Sequence, residues 1–218
     1  MNNQKGAMID LFKTLVWPGA DAEQAIIDEF GLTCAYEHLE KFVCGKSSAD
    51  DEAFINGLFA YLNMEATANM KERLLKVMNH AAQTSIIEGA EQLLLDLKGR
   101  GYVLGLVSNF PPFFKERMPY FFSDGGLKKY FDALVLSCDV EVAKPDPKIF
   151  QLCLNKMGTK PENTILIGDS LRSDIMPAKS IGLQGILISH QPSDIPYAVV
   201  PKLSDALPVV NDFFKRRF

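Results

Sequence analysis

The sequence lacks an apolar run long enough to cross a bilayer, although 47% of its 218 residues are hydrophobic. Its first residues, Met1 to Lys5, are polar and contain no apolar signal region. These two absences predict a protein that has no membrane partner and is not exported. We therefore expect a cytoplasmic location.

Basic clusters and paired cysteines are also scarce. The net charge is −4, and the basic run Lys215-Arg216-Arg217 is better explained as a helix end complementing its dipole than as a nucleic-acid patch. The four cysteines form no C-x-x-C pair, and the three histidines are scattered. We expect no nucleic-acid partner, no zinc site, and mostly buried, reduced thiols in a reducing compartment.

What is present is an alternation of apolar runs and helical patterns. Strand-like runs end at Ile9, Val107, Ser137, Ile167 and Ile188. Several of these runs are continuously apolar, which is typical of parallel strands buried on both faces. Because helical patterns separate most of them, we predict an α/β fold with a doubly wound parallel sheet.

Two helices and one loop have clear boundaries in this pattern. Apolar spacing over residues 90–97 predicts a helix that Gly99 ends. Asp146 is expected to cap a second helix, with Pro147 at its first position and Gly158 at its end. The stretch from Gln191 to Pro201 is predicted to be a surface loop.

The region from Trp17 to Gln83 interrupts the alternation. It contains three apolar stripes at helical spacing, a helix start near Ser48 to Asp51, and no convincing strand. A parallel crossover needs only about a dozen residues. We therefore predict a helical domain at residues 17–83, inserted between core segments 1–16 and 84–218. It would act as a lid over the site, although a purely stabilising subdomain is the alternative.

Polar residues follow three of the predicted strands. Ligands of open parallel sheets bind beyond the carboxyl ends of the strands, so side chains placed there are expected to meet. The residues are Asp10 after the first strand, Ser108 and Asn109 after the second, Asp169 and Asp174 after the fourth, and Lys144 in a loop before a helix.

These residue types suit phosphoryl transfer. A carboxylate can attack phosphorus to form an aspartyl-phosphate, provided that the repulsion between the two anions is neutralised. Mg²⁺ prefers carboxylate, carbonyl and water oxygens, which Asp10, Asp169 and Asp174 could supply. Lys144 would offset phosphate charge, and the Ser108 hydroxyl could bond a phosphate oxygen.

Each assignment has a structural alternative. Ser108 and Asn109 could merely cap the following turn, and Lys144 could be a solvated loop lysine. Asp174 could be a charge that complements a helix dipole. Asp169 is harder to explain in this way, because it lies between an apolar strand and a tight turn.

In this order, the residues resemble the four motifs of the haloacid dehalogenase superfamily of aspartate-nucleophile hydrolases. Asp10 to Leu15 is similar to the first motif, Ser108-Asn109 to the second, Lys144 to the third, and Gly168 through Asp174 to the fourth. The helical insert resembles the family's alpha-helical cap, which closes over the substrate. The resemblance therefore implies the same core fold and an inserted cap.

The resemblance also implies a role for each residue. Asp10 would be the nucleophile, Ser108 would bind the transferring group, and Lys144 would balance charge. Asp10, Asp169 and the backbone carbonyl of Phe12 would approach Mg²⁺, with Asp174 in support.

The sequence departs from the family pattern after Asp10. Family phosphatases carry a second Asp two residues after the nucleophile, which protonates the leaving group and then activates water. Phe12 can do neither, and loss of a positioned acid/base costs about 10²- to 10⁴-fold in rate. Lys13 also replaces the usual glycine.

Phe12 leaves a dehalogenase open as an alternative, because the family's true dehalogenases also lack the second Asp. Their fourth motif, however, resembles Ser-x-Asn followed by Asp and binds no metal. They also use a cap arginine, for which this sequence offers Arg73, with Lys41 or Lys46 as substitutes. The fourth motif here has the metal-binding form, so we give it more weight than Phe12.

The sequence as a whole predicts a Mg²⁺-dependent hydrolase of a small phosphorylated metabolite. The alternatives are a 2-haloacid dehalogenase and a low-turnover phospho-ligand-binding or regulatory protein. Substrate contacts are expected from Ser108 and Asn109 and, near the cleft between the core and the insert, from Trp17, Lys46, Ser47 and Ser48.

Overall fold

The fold is described from a computed structural model that covers residues 4–34, 36–191 and 197–215. Its strands are β1 (Gly6–Ile9), β2 (Val16–Trp17), β3 (Ser85–Ile86), β4 (Val103–Ser108), β5 (Ala133–Leu136), β6 (Thr164–Gly168), β7 (Gln184–Ile188) and β8 (Ala198–Val200). Its helices are α1 (Ala22–Phe30), α2 (Tyr36–Val43), α3 (Asp51–Tyr61), α4 (Ala68–Ala81), α5 (Ala90–Gly99), α6 (Pro119–Phe122), α7 (Ser137–Val140), α8 (Lys148–Met157), α9 (Met176–Ser180) and α10 (Ala206–Lys215).

Six strands form one parallel sheet in the order β5-β4-β1-β6-β7-β8. The chain runs from β1 to β4 and β5 on one side, and then returns to place β6 on the other side of β1. Strand order therefore reverses beside β1, and the carboxyl edge at such a reversal is where open α/β sheets bind ligands.

The sheet is buried on both faces, as the continuous apolar runs predict. Along β1, Ala7 and Ile9 pack on the side of α5 and α10, whereas Met8 packs on the side of α8 and α9. All three side chains are fully buried. Successive side chains of a strand point to opposite faces, so such a strand needs apolar residues at every position. The predicted α/β class with a parallel, doubly wound sheet is confirmed.

The predicted strand ends agree with the observed ones to within one residue, but one strand of the six-stranded sheet and the two short strands β2 and β3 were missed. Ala198–Val200 forms β8, which pairs with β7 at the edge of the sheet. The prediction of a loop over residues 191–201 is therefore wrong for these three residues, while 192–196 lie outside the described residues. A three-residue edge strand is too short to leave a periodic signal.

The helix boundaries follow local chemistry. Gly158 ends α8 in the left-handed conformation, at φ 66°, as predicted. The Asp146 carboxylate accepts the Lys148 N–H at 2.9 Å, although the helix itself starts two residues later than Asp146. Helix α10 is described as far as Lys215, and Arg216 and Arg217 of the predicted basic helix end lie outside the described residues.

Four helices, α1 to α4, lie between β2 and β3, which pair with each other in an antiparallel ladder. Asp21, Asp50 and Thr67 cap α1, α3 and α4 through hydrogen bonds to backbone N–H groups. The cap of α3 is therefore Asp50 rather than Ser48. Helix α2 was not identified among the sequence stripes, because its eight residues span little more than two turns and give only a short periodic pattern.

Two further features concern the chain as a whole. The four cysteines are free thiols, and Cys44, Cys138 and Cys153 are buried, as expected. Among the described residues, no helix combines the length and hydropathy that a bilayer crossing requires.

Candidate active site

Three carboxylates meet at the carboxyl edge of the sheet. Asp10 follows β1, Asp169 follows β6, and Asp174 lies one turn further on. Each of the three offers an oxygen within 4.8 Å of the other two. The Asp10 N–H donates to the Ile167 carbonyl at 2.9 Å, which ties the end of β1 to β6. The structure thus brings together the three acids that the sequence placed at two strand ends.

Lys144 is the cation of this cluster. Its Nζ lies 2.5 Å from Asp10 Oδ1 and 2.7 Å from Asp174 Oδ1. Its side chain is buried, so Lys144 is not a solvated loop lysine. Burial alone would lower its pKa, but the nearby Asp10 and Asp174 carboxylates raise the pKa of Lys144 above its usual value. The ammonium therefore stays charged at neutral pH.

The acids themselves are held in an unfavourable environment for negative charge. Burial, together with repulsion from Asp174 and Asp169, raises the pKa of Asp10 to about 7 in spite of Lys144. Burial and Asp174 raise the pKa of Asp169 to about 6. Three carboxylates share one ammonium here, so the cluster carries excess negative charge when all of them are ionised.

Asp174 is positioned by its own turn. It belongs to a short π-helix, Leu171–Ile175, and accepts the Ser170 N–H on Oδ2 at 3.1 Å. A Cβ on Gly168 would lie only 2.6 Å from this same oxygen, so only glycine allows so close an approach. Because Asp174 is buried against Lys144, it is more than a charge at a helix end.

The side chain of Ser170 caps this turn. Its hydroxyl accepts the Ser173 N–H at 3.0 Å. Ser170 directly follows Asp169, and the turn that brings Asp174 back to the cluster therefore begins at the strand end itself.

Ser108 and Asn109 occupy different positions at the end of β4. Ser108 is fully buried and its hydroxyl donates to the Asn109 carbonyl at 3.1 Å. Asn109 brackets the backbone of Lys144: its Oδ1 accepts the Lys144 N–H at 2.7 Å, and its Nδ2 donates to the Lys144 carbonyl at 3.0 Å. Nδ2 also donates to Glu40 of α2 at 2.9 Å. Asn109 therefore does more than cap a turn.

Phe12 packs into an aromatic cluster. Its ring stacks on Phe110 with centroids 5.7 Å apart and meets Phe114 edge to face at 5.2 Å. The position two residues after Asp10 is therefore lined by apolar rings, where the family phosphatases carry an acid.

Lys13, the next residue, replaces the glycine of the family pattern but keeps a backbone conformation that favours glycine. Its backbone is left-handed at φ 63°, which explains why a glycine suits this position in the family pattern. Its Nζ lies 3.0 Å from the Asp21 carboxylate. Lys13 thus adds a positive charge near the entrance and joins the end of β1 to the start of α1.

A cavity of about 400 Å³ opens in front of the carboxylate cluster. The core lines it with Asp10, Phe12, Lys13, Asn109, Pro111, Phe114, Lys144, Asp169, Ser170, Arg172, Ser173 and Asp174. Residues from the insert line the opposite side. They lie before or within α1 (Pro18, Ala20, Asp21, Ala22, Glu23), within α2 (Tyr36, Glu40) or just after α2 (Cys44).

Several expected substrate contacts lie elsewhere in this arrangement. Lys46 and Trp17 are exposed and, as far as the described residues define the cavity, do not line it; the buried Ser108 does not line it either. The Ser47 hydroxyl donates to Glu141 at 2.8 Å, and the Ser48 hydroxyl donates to the Asp50 carbonyl at 3.0 Å. Substrate contacts of these residues stay predictions, for which this arrangement offers no support.

The acidic side of the cavity was missed in the sequence. Glu23 accepts from the Cys44 thiol at 3.1 Å, and the Tyr36 hydroxyl lies 3.3 Å from Glu23 and 2.9 Å from Asp21. Burial raises the pKa of Glu23 to about 7. Tyr36, Glu40 and Cys44 follow i, i+4, i+8 spacing, which places them on one helical face. That spacing was present in the sequence, but nothing local showed that this face lines the cavity.

Comparison with known proteins is consistent with this geometry. The family described as "Haloacid dehalogenase-like hydrolase" matches residues 20–188. The chain belongs to the haloacid dehalogenase-like hydrolases. The match begins ten residues after Asp10 and therefore does not include this residue.

Relatives of this hydrolase include named enzymes. The chain is 29% identical over 189 residues to a glyceraldehyde 3-phosphate phosphatase of Methanothermobacter thermautotrophicus, covering 82% of this chain and 78% of that protein. It is 30% identical over 144 residues to haloacid dehalogenase-like hydrolase domain-containing protein 3 of Bos taurus, covering 66% of this chain but only 54% of that protein. The chain thus spans about half the length of the second relative.

A solved structure supports the fold. The hydrolase YfnB of Bacillus subtilis, solved bound to magnesium, is similar with a TM-score of 0.63 at 20% identity, covering 95% of this chain and 99% of that one. At this identity, the likeness concerns the fold alone. The α/β core inferred from the sequence is therefore the core of this hydrolase family.

Proposed function

We propose that this hydrolase is a Mg²⁺-dependent phosphatase of a small phosphorylated metabolite, acting through an aspartyl-phosphate on Asp10. The observation that carries the proposal is the meeting of Asp10, Asp169 and Asp174 within 4.8 Å, with the Lys144 ammonium between two of them. The named glyceraldehyde 3-phosphate phosphatase relative supports a small phosphate ester as the substrate.

The donor set fits a divalent cation. Carboxylate oxygens are the ligands that Mg²⁺ prefers, and burial together with repulsion among the carboxylates raises the pKa values of Asp10 and Asp169, so a bound cation would stabilise their ionised forms. Asp10, Asp169 and the Phe12 carbonyl would hold the ion, with Asp174 in support. Bound there, Mg²⁺ would neutralise the negative charge of the phosphoryl group as it meets the nucleophile.

The chain's own residues divide the chemistry. The Asp10 carboxylate would attack phosphorus, so that an O–P bond forms as the bond to the leaving oxygen breaks. Lys144 would orient Asp10 and offset charge on the phosphoryl oxygens. Water would then attack phosphorus, releasing phosphate and the free Asp10 carboxylate.

The leaving oxygen needs a proton in the first step, and water must lose one in the second. Phe12 can take part in neither transfer, because its ring is apolar and lies among Phe110 and Phe114. The proton would come from solvent or from the substrate itself. We therefore expect slow turnover of substrates with poor leaving groups and faster turnover of activated esters.

We also propose that residues 17–83 form a cap over the site. Helix α2 contributes Tyr36 and Glu40 to the cavity, and Glu37 pairs with Arg172 of the core at 2.8 Å. A volume of about 400 Å³ suits a small metabolite rather than a macromolecule. Nucleic acid is accordingly not proposed as a substrate.

Phe12 favours a second candidate, a low-turnover protein that binds a phosphorylated ligand in a regulatory role. This protein would keep the charge cluster and the cavity but lack an efficient proton donor. The two candidates differ in rate rather than in the ligand that they bind.

The positions of the arginines do not favour a dehalogenase, which would need a cap arginine in the cavity. Arg73, the arginine that the sequence offers for this role, has its Nε 2.6 Å from the Glu29 carboxylate. As far as the described residues define the cavity, Arg73 does not line it. The arginine that does line it is Arg172 of the core, which pairs with Glu37.

The experiment is a panel of phosphate esters assayed with Mg²⁺ and with EDTA, for the parent and for Asp10→Asn. We expect hydrolysis that EDTA abolishes and that Asp10→Asn lowers to background, with circular dichroism of the variant as the control for folding. Turnover that survives EDTA would overturn the proposal. Halide release from a 2-chloro acid would favour the dehalogenase, and tight ligand binding without turnover would favour the second candidate.

A further inference from the structure

Both polar atoms of the Asn109 side-chain amide form hydrogen bonds with the backbone of Lys144. Oδ1 accepts the Lys144 N–H at 2.7 Å, and Nδ2 donates to the Lys144 carbonyl at 3.0 Å. A flipped amide would place its NH₂ group against the Lys144 N–H, donor against donor. Only one orientation of Asn109 therefore holds the backbone of Lys144.

Glu40 of α2 selects that orientation from the other side of the cavity. Its carboxylate is acceptor-only when ionised and accepts from Nδ2 at 2.9 Å. A hydrogen bond to a carboxylate is stronger than one between neutral groups. Glu40 is half-buried, and the Lys144 ammonium bonds Asp10 and Asp174, so the hydrogen-bonded link from Glu40 to Lys144 runs through Asn109.

The Lys144 ammonium can make both of its carboxylate contacts only if the backbone of Lys144 is held in place. Its Nζ lies 2.5 Å from Asp10 and 2.7 Å from Asp174, and both contacts depend on where the backbone of residue 144 is held. A displacement of about 1 Å in such an arrangement costs on the order of 10²-fold in rate.

We propose that Glu40 is a positioning residue that holds Asn109, and through it Lys144, in the geometry that attack by Asp10 requires. The kinetic test of this inference rests on the proposed function. The second test, hydrogen exchange of the Lys144 amide, does not depend on turnover. It also assigns α2 a role beyond enclosing the cavity, because Glu40 links this helix to the reacting groups.

The test compares Glu40→Gln, Glu40→Ala and Glu40→Lys with the parent, using p-nitrophenyl phosphate and Mg²⁺. We expect Glu40→Ala to lower kcat by about 10- to 100-fold with little change in KM, because positioning is lost and not binding. Glu40→Gln keeps an oxygen acceptor and should stay within about threefold of the parent. Glu40→Lys presents only donors to Nδ2 and should show the largest decrease in kcat.

Glu52→Ala is the matched control, since Glu52 is an exposed carboxylate on α3 and is not among the described residues that line the cavity. It should leave kcat close to that of the parent. The double variant Glu40→Ala/Asn109→Ala should be no slower than Asn109→Ala alone, because the two residues act in series. Equal losses in Glu52→Ala and Glu40→Ala, or additive losses in the double variant, would overturn the proposal.

Hydrogen exchange of the Lys144 amide gives the independent readout. Glu40→Ala should speed this exchange by roughly tenfold, while Glu40→Gln should not. Unchanged protection in Glu40→Ala would overturn the positioning role. Absence of Mg²⁺-dependent turnover in the parent would instead overturn the proposed function, and the exchange result would then decide the positioning role by itself.

Discussion

The Lys144 ammonium lies 2.5 Å from the Asp10 carboxylate, although 134 positions separate the two residues in the chain. Both side chains are buried, so neither charge is balanced by bulk water. A buried pair of this kind is costly to break, because the remaining charge is left without a partner. The contact therefore ties the loop after Ala143 to the end of β1 and orients the proposed nucleophile.

Phe12→Asp should raise turnover of an alkyl phosphate and lower stability. A positioned acid/base contributes about 10²- to 10⁴-fold to rate, whereas loss of the ring contacts with Phe110 and Phe114 should cost roughly 1–3 kcal/mol. Steady-state kinetics and thermal denaturation measure the two effects. Phe12→Asn is the control, because it has a similar size to the Asp variant but no acid; equal acceleration in this variant would contradict the explanation.

Mg²⁺ binding should strengthen as the pH rises from about 5 to 8. The pKa values of Asp10 and Asp169, about 7 and about 6, lie above their usual range, so protons must leave before the metal can bind. We expect the dissociation constant to fall by at least about tenfold between about pH 5.5 and 7.5. Calorimetry in buffers of different ionisation enthalpy would detect the released protons.

Asp10→Asn supplies the control for this pH dependence. It removes one of the two titrating carboxylates, so fewer protons should be released on binding and the affinity should depend less steeply on pH. A dissociation constant for the parent that stays the same across this pH range would contradict the expectation.

Glu23→Gln should stabilise the protein at neutral and higher pH. Burial raises the pKa of Glu23 from 4.5 to about 7, so the folded state binds more protons than the unfolded state between these values. Stability therefore falls as the pH rises through this window and is constant above it. Gln imitates the protonated side chain, so the variant should gain up to about 3 kcal/mol relative to the parent above about pH 7.

Denaturant unfolding of the parent and of Glu23→Gln at about pH 4.5 and about pH 8 measures this difference. The two proteins should be of similar stability at the lower pH and diverge at the higher one. A constant difference between the parent and Glu23→Gln at both pH values would reject the linkage.

Gly168→Ala should displace Asp174. The added Cβ would lie 2.6 Å from Asp174 Oδ2, closer than such atoms approach, so the carboxylate must move. We expect weaker Mg²⁺ binding by at least about tenfold, together with a stability loss of roughly 1–3 kcal/mol. Gly99→Ala at the end of α5 is the control, because a Cβ there meets nothing within 4 Å. If Gly168→Ala binds Mg²⁺ as the parent does, Asp174 has no part in the site.

Much of the core could be predicted from the sequence. The apolar runs before Asp10 and Asp169 predicted strands to within a residue, because a strand buried on both faces needs an apolar side chain at every position. Parallel strands then place their carboxyl ends on one edge, which brought Asp10, Asp169 and Lys144 into one candidate site. The three-residue edge strand β8 escaped the same reasoning because it is too short to show a pattern.

Other features were decided only by the tertiary structure. Local periodicity shows that Tyr36, Glu40 and Cys44 share a helix face, but not what that face meets. The bond between Glu40 and Asn109 joins residues 69 positions apart, and the packing of Phe12 against Phe110 depends on how two strand ends meet. The sequence by itself determined which chemical groups stand at the strand ends, since burial and strand direction are local consequences of the chain. Their partners were decided by the fold, because contacts over such separations depend on the packing of the whole molecule.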